Sequence, residues 1–392
     1  MELTFNKYTA LSIIRALRSS GRGVPNARVE LIAPDPAPHK RWSKQHLREL
    51  LGGHAGQSVY VAVPAASKRI KTKGVHSTVY ASPLPNRSFV QAGRGVRISS
   101  PELLFVELAP HMTPLTHLLL GFELCGTFSR DSRDPRDGDV TFFVPPVTSV
   151  ARIRTYVEHV KGLHGLEKAR ETLSYLSDNA WSPTEALIAA MAALPVYRMG
   201  YGCHDVRLNQ RVMLEDGRSR VPDILFGDTQ VGINYDGGEH LDLESIERAA
   251  RAAERSPDKQ ALQRAVSRAK SSVRNKVVDD LRRNRELGTK GYVVFPVTKE
   301  DLYQDGGLDK VMRQLYETIE CFSGQSMEEQ RRSLVGPLMK ERRQQLIWAV
   351  MPGERGKEHL RLLSPSDGKN GHACSMYKSV KACTCENETS IH

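Results

Sequence analysis

Two short segments of the chain place acidic and amide side chains next to apolar, strand-like runs. Asp223 lies within the apolar run 221–226, and Asn234 and Asp236 lie in the run 231–238, which ends in Gly237-Gly238. The residues between them include Gly227-Asp228-Thr229, so we predict a β-hairpin. Because side chains alternate along a strand, Asn234 and Asp236 share one face. Oxygen ligands gathered in this way suit a hard cation such as Mg²⁺, which predicts metal-dependent phosphodiester chemistry.

Two further polar side chains have ordinary structural explanations. Glu185 stands three residues after Ser182, a spacing that a capping box explains. His240 follows Gly237-Gly238-Glu239, where a surface histidine after a hairpin turn fits the residues.

Length and charge narrow the class of protein. The chain of 392 residues is longer than a domain with a single hydrophobic core usually is, which predicts two domains with extensions. The chain has 56 lysines and arginines against 45 acids, a net charge of +11 that favours DNA, RNA or another polyanion as partner. No run approaches the roughly 20 apolar residues of a membrane span, and we find no signal-peptide pattern. We therefore expect a cytoplasmic protein with reduced cysteines that does not enter a membrane.

Much of the positive charge lies in one segment. Residues 245–290 contain 13 lysines and arginines and 6 acids, and their difference of +7 is more than half of the excess of the whole chain. The segment has no aromatic residue, so phosphate contacts rather than base stacking are its expected role. A solvated helix face with pairs such as Glu247 with Arg251 is the alternative.

The pattern of turns and apolar runs predicts an α/β (α+β) chain with five parts. These are a helical segment (1–55), an α+β module (56–170), an α/β domain (175–325) with a basic helical insertion (241–279), a helical extension (326–363) and a disordered tail (364–392). In the module we predict an antiparallel sheet from strands at 59–63, 75–80 and 96–98, a helix begun by Ser100, an exposed loop at 130–139 and a helix at 149–169.

Five motifs occur in order in the second half and together resemble a known family. They are Ser182-Pro183-Thr184-Glu185, Pro222-Asp223, Asn234-Tyr235-Asp236-Gly237-Gly238-Glu239-His240, Asp280-Leu281-Arg282-Arg283 and Gly291-Tyr292. The set resembles the very-short-patch-repair-like endonuclease domain of the PD-(D/E)xK, or restriction-endonuclease-like, superfold, over about 120 residues.

The resemblance implies a DNA-binding, Mg²⁺- or Mn²⁺-dependent endonuclease. The implied metal ligands are Asp223, Asn234, Asp236 and Glu185, and the implied catalytic residues are Asp223, Asp236, His240 and Glu185. Among these, His240 is the implied proton-transfer residue. Asp280 and Arg283 would face the site, and DNA would be held by Arg283, Arg282, Lys276, Arg274 and Lys270.

The first half resembles the abortive-infection type IV antitoxin group, on the ten residues from Ser100-Pro101-Glu102 to Ala109. This resemblance implies a role in phage defence, with a toxin–antitoxin partner or a homo-oligomer as possible assemblies.

One departure from the endonuclease pattern affects its chemistry. Asn234 occupies the position where most relatives have glutamate, and an amide oxygen brings no charge to a cation. Three hypotheses follow: a weakened endonuclease, a non-catalytic DNA-binding regulator with a degenerate site, and a protein-interaction partner in a defence system.

Overall fold

The structure is a computed structural model that describes residues 2–33, 58–236 and 259–364. The chain folds as two compact units, one formed by residues 1–202 with 345–392 and the other by residues 203–344. Each unit combines helices with β-structure, and the sheets are mixed, which confirms the predicted α+β class. Residues 34–55 of the predicted helical segment and residues 365–392 of the predicted tail lie outside the described residues.

The first unit is built on a six-stranded mixed sheet. Its order is β2-β5-β6-β1-β3-β4. The strands are β1 (Leu3–Phe5), β2 (Arg28–Val29), β3 (Val59–Ala62), β4 (Val75–Thr78), β5 (Phe89–Gly93) and β6 (Val96–Ser99). The predicted strands are confirmed, but the predicted antiparallel arrangement is wrong for two pairs, because β1 runs parallel to β6 and β3 parallel to β4.

Six α-helices and one small hairpin accompany this sheet in the described residues up to 202. The helices are α1 (Lys7–Ser19), α2 (Pro101–Leu108), α3 (Pro114–Cys125), α4 (Val150–His159), α5 (Leu166–Leu173) and α6 (Pro183–Ala193), and the hairpin pairs β7 (Phe128–Ser129) with β8 (Thr141–Phe142). As predicted, Ser100 caps α2, and its hydroxyl accepts the Leu103 N–H at 3.2 Å. Both α2 and α3 are almost wholly buried, which explains their nearly uniform apolar sequence.

A buried ion pair joins two of these helices. Arg15 of α1 donates two hydrogen bonds to the carboxylate of Glu123 in α3, at 2.8 and 2.6 Å. The two side chains are 3% and 1% exposed. Burial alone would raise the pKa of Glu123, but Arg15 and the hydrogen bonds hold that pKa below its usual value.

Two predictions for the first unit are wrong. The segment 130–139 is not uniformly exposed, because Arg130 and Arg136 are only 6% and 4% exposed. Arg136 donates to the carbonyl oxygens of Met351 and Gly353, at 2.6 and 2.9 Å, so these acceptors compensate for its burial. The predicted helix at 149–169 is two helices, α4 and α5, separated by Gly162 and Gly165 at positive φ.

The second unit contains a four-stranded sheet in the order β14-β13-β12-β9. Its strands are β9 (Val206–Leu208), β12 (Ile224–Phe226), β13 (Val231–Asp236) and β14 (Val293–Thr298), and a separate hairpin pairs β10 (Val212–Met213) with β11 (Ser219–Arg220). The predicted hairpin is confirmed, because β12 and β13 pair antiparallel. The strands β9 and β10 follow each other closely in the chain but belong to different sheets.

The helix α7 (Lys259–Thr289) stands in chain order between the parallel strands β13 and β14. It packs against β14 and β11. Pro296 lies in β14, at the edge of the sheet, where a missing N–H does not interrupt a ladder on both sides. The later helices are α8 (Lys299–Tyr303), α9 (Gly307–Ser323), α10 (Glu328–Val335) and α11 (Pro337–Val350). Residues 345–350 of α11 are assigned to the first unit, as is a 3₁₀ segment at Glu354–Leu363.

Candidate functional site

Asp223 lies immediately before β12, and its neighbours fix its carboxylate. Its Oδ2 accepts the Tyr235 backbone N–H at 2.7 Å, and its own backbone N–H donates to Asn234 Oδ1 at 3.2 Å. The register that pairs Ile224 with Ile233 places these groups together. The two sequence motifs that predict the site therefore meet in the hairpin.

Arg283 reaches the same point from α7. Its Nη2 lies 3.1 Å from Asp223 Oδ1 and 2.6 Å from Asn234 Oδ1, and the same nitrogen contacts the carbonyl oxygen of Val221. The Arg283 and Asp223 side chains are only 22% and 19% exposed. Partial removal from water strengthens this pair relative to an exposed ion pair.

A second residue of α7 extends this network. Asn284 Oδ1 accepts a hydrogen bond from Asn234 Nδ2 at 3.4 Å. Asn284 is not among the residues predicted from the sequence, although the spacing of Asp280, Arg283, Asn284 and the fully buried Leu287 is that of one helix face. That spacing is the signal that could have identified it.

The surroundings of the Asp223 carboxyl group shift its pKa in both directions. Burial raises its pKa, whereas Arg283 and the Tyr235 N–H lower it, and Asp280 raises it again. The net result is a pKa above the usual value for aspartate. Asp280 therefore lies close enough to raise the pKa of Asp223.

A side chain of the protein occupies the position where a metal cation would lie. Asp223 Oδ1 and Asn234 Oδ1 converge on one point, as ligand oxygens do around a metal, but the Arg283 guanidinium is at that point. The residues as they stand therefore do not fit a divalent cation. Within residues 2–33, 58–236 and 259–364, no group of three or more His, Cys, Asp or Glu side chains is gathered as for a metal ion.

The remaining predicted metal ligands and the predicted proton-transfer residue are placed differently. Asp236 ends β13 and is half-buried, opposite Thr298 of β14 in the parallel register. Glu185 belongs to the first unit, where its carboxylate accepts the Trp181 N–H at 3.3 Å and its own N–H donates to Ser182 Oγ at 3.1 Å. These contacts explain Glu185 as part of the start of α6. His240 lies outside the described residues.

The predicted nucleic-acid contacts separate into two groups. Arg274 and Arg282 are exposed on α7, whereas Arg283 is directed into the Asp223 network. The side chains of Lys270 and Lys276 lie outside the described part of the structure. Arg283 is thus used internally, which differs from the phosphate contact that the family resemblance implies.

Two arginines of the β10–β11 hairpin pair with acids of α7. Glu286 contacts Arg218 at 2.9 Å and Arg220 at 2.5 Å, and Asp279 lies 3.4 Å from Arg220. Arg218 and Arg220 are not among the residues predicted from the sequence, because nothing local marks a contact across about 60 residues. The hairpin therefore neutralises acids beside the basic residues of α7.

Comparison with known proteins adds no assignment. No family model, no curated protein and no solved structure matches the chain. In the described ranges, no helix has both the length and the apolar character that crossing a membrane requires.

Proposed function

We propose that the chain is a non-catalytic nucleic-acid-binding protein whose second unit keeps an endonuclease-like arrangement of Asp223 and Asn234. The observation that carries the proposal is the position of Arg283, whose Nη2 contacts both side chains. A nuclease metal polarises a phosphate and lowers the pKa of an attacking water. A guanidinium supplies charge but stays protonated and has no open coordination position for water. The internal arginine therefore stabilises the fold of the site without its chemistry.

The charge of the chain supports nucleic acid as the partner. The net charge is +11, and more than half of the excess lies in residues 245–290, a segment that includes Arg283 of the Asp223 network. Arg274 and Arg282 are exposed there and are available to phosphates. We propose DNA as the ligand, and an antitoxin-like regulatory role, with a toxin partner or a second copy of the chain, as the context of binding.

A second candidate, a Mg²⁺- or Mn²⁺-dependent endonuclease, is favoured by one observation. Asp223 Oδ1 and Asn234 Oδ1 lie within hydrogen-bonding distance of the same nitrogen, so the two oxygens are already directed at one point. The candidate requires Arg283 to leave that point when DNA binds. It predicts cleavage that is abolished in Asp223→Ala.

The experiment that separates the two candidates measures binding and cleavage in the same samples. Fluorescence anisotropy of a labelled DNA duplex is followed across salt, in EDTA and in MgCl₂, and the DNA is then analysed on a denaturing gel. The proposal predicts binding that weakens with salt, no tighter binding in MgCl₂ than in EDTA at matched ionic strength, and intact DNA. Cleavage in MgCl₂ that disappears in Asp223→Ala would establish the endonuclease, and an absence of binding at low salt would refute both.

A further inference from the structure

Exposed arginine and apolar side chains of α7 form one stripe along the helix. Arg264, Arg274, Val278, Leu281, Arg282 and Arg285 are all exposed. At about 100° per residue, they fall within an arc of about 100° around the helix axis. The arc faces away from the side of α7 that carries Arg283, Asn284 and Leu287. We call these six residues the arginine stripe.

The acids nearest the stripe do not cancel its charge. Glu286 is engaged by Arg218 and Arg220, and Asp279 by Arg220, so both carboxylates face cations of the β10–β11 hairpin. No ion-pair partner is found for the four stripe arginines among the described residues. The stripe therefore presents four positive charges on one face, with neutralised acids at its edge.

The stripe also exposes apolar side chains, which binding to phosphates alone would not use. Leu281 is 64% exposed and Val278 is 37% exposed, between Arg274 and Arg282. A ligand that offers only phosphates gives these side chains no partner. The major groove of DNA offers both phosphates at its edges and thymine methyl groups on its floor.

We propose that the arginine stripe of α7 enters the major groove of duplex DNA, an inference that rests on the nucleic-acid binding proposed above. An α-helix about 10–12 Å wide fits a groove about 12 Å wide. From Arg264 to Arg285 the helix is about 32 Å long, so its ends reach the phosphates on both sides of the groove while Val278 and Leu281 lie over base edges.

Two other nucleic acids fit the stripe less well. The major groove of duplex RNA is deep and narrow and does not admit a helix. Single strands are held largely by bases stacking on aromatic side chains, and residues 259–289 contain no aromatic residue. Duplex DNA is therefore the ligand to which the inference commits.

The test compares variants of the full chain on three ligands of one sequence: duplex DNA, duplex RNA and single-stranded DNA. The variants are Arg274→Gln with Arg282→Gln, Leu281→Ser, and the control Arg313→Gln, an exposed arginine of α9 in the same unit. Anisotropy is measured across salt, and thermal unfolding confirms that each variant is folded. All the substituted positions are exposed, so we expect each variant to fold.

The expected result is a preference for duplex DNA with a specific weakening in the stripe variants. The double arginine variant should bind duplex DNA about tenfold more weakly or worse, with a salt slope smaller by about 0.9 for each phosphate that is no longer neutralised. Leu281→Ser should weaken binding to thymine-containing duplexes without changing that slope, and Arg313→Gln should match the wild type.

Three outcomes would overturn the inference, and they differ in what they leave standing. If the stripe variants bind duplex DNA as the wild type does, the stripe is not the contact surface, and the proposed function survives. If RNA duplex or single-stranded DNA binds more tightly than duplex DNA, the major-groove assignment is wrong. If the wild type binds none of the three at low salt, both the inference and the proposed function are refuted.

Discussion

Nη2 of Arg283 lies 3.1 Å from Oδ1 of Asp223, and both side chains are about one-fifth exposed. The acid that the sequence predicts to be a metal ligand therefore faces a cation that the protein supplies itself. This relationship, together with the uncharged side chain at position 234, is the basis of the non-catalytic function that we propose. It also gives the basic helix a structural role in addition to its proposed DNA contact.

Replacing Arg283 tests the electrostatic origin of the Asp223 pKa. Arg283→Met removes the largest influence that lowers the Asp223 pKa, so we expect that pKa to rise further above its usual value. In this variant the pKa of Asp223 in the folded protein lies further above its value in the unfolded chain. The stability that this difference contributes is therefore present at low pH and is lost as the pH rises through the folded-state pKa. The ¹³C carboxyl chemical shift of Asp223, followed through a pH titration, measures the change.

The control for this experiment is Arg282→Met, the neighbouring residue of α7 whose side chain is exposed. It should leave the Asp223 titration unchanged. A titration of Asp223 in Arg283→Met that matches the wild type would mean that the 3.1 Å contact does not form in solution.

Introducing glutamate at position 234, as the resemblance to the endonuclease domain suggests, should create metal affinity. In Asn234→Glu combined with Arg283→Ala, a second carboxylate replaces the amide and the competing guanidinium is gone, so we expect Mn²⁺ and Mg²⁺ to bind. Isothermal titration calorimetry should detect Mn²⁺ binding in this variant and none in the wild type. Adding Asp223→Ala should abolish it. Equal Mn²⁺ binding by wild type and variant would show that Arg283 does not oppose a metal.

The buried ion pair of the first unit provides a stability test independent of function. Arg15→Met leaves Glu123 buried without its bidentate partner, and breaking such a pair from one side costs about 3–5 kcal/mol of unfolding free energy. Arg170→Met breaks the exposed pair with Glu167 and should cost less than about 1 kcal/mol. Urea unfolding measures both. Similar decreases in stability in the two variants would contradict the buried geometry.

His117 should make the first unit sensitive to acid. Burial lowers its pKa from 6.5 to about 4, and its ring contacts the Phe105 carbonyl and the Thr172 hydroxyl, at 2.7 and 2.6 Å. The unfolded chain therefore binds a proton that the folded chain does not, and stability falls as the pH falls from 6.5 towards 4.

The size of this effect has an upper limit of about 3.5 kcal/mol, because each pKa unit of difference between the folded and unfolded states is worth about 1.4 kcal/mol. His117→Gln should be less stable than the wild type at neutral pH but show a shallower dependence on pH between 4 and 6.5. Urea unfolding at several pH values gives the slope. A slope as steep in His117→Gln as in the wild type would assign the acid sensitivity to other groups.

Local chemistry allowed part of the structure to be predicted. The hairpin around Asp223 and Asn234 follows from turn residues between apolar runs. The helix starts at Ser100 and Ser182 follow from their hydroxyl groups, each of which accepts the backbone N–H three residues later. In each case the determining contacts lie within a few residues. Such signals are readable from a single sequence.

Contacts between distant residues were not predictable. The parallel pairing of β3 with β4 depends on partners that no local pattern specifies, and the burial of Arg136 depends on carbonyl groups more than 200 residues away. The site shows the same limit: the positions of Asp223 and Asn234 follow from the hairpin, but the contact with Arg283 joins positions about 60 residues apart. A run of basic residues in the sequence does not show which arginine contacts an acid inside the fold and which is exposed.

The most direct test of the proposed non-catalytic function is incubation of supercoiled plasmid with wild type and Asp223→Ala in Mg²⁺ and in Mn²⁺, with binding checked in the same samples. We predict that both proteins retard the plasmid in a salt-sensitive manner and that neither nicks or linearises it. Nicking by the wild type that Asp223→Ala abolishes would contradict the proposal, and would mean that Arg283 gives way to a metal.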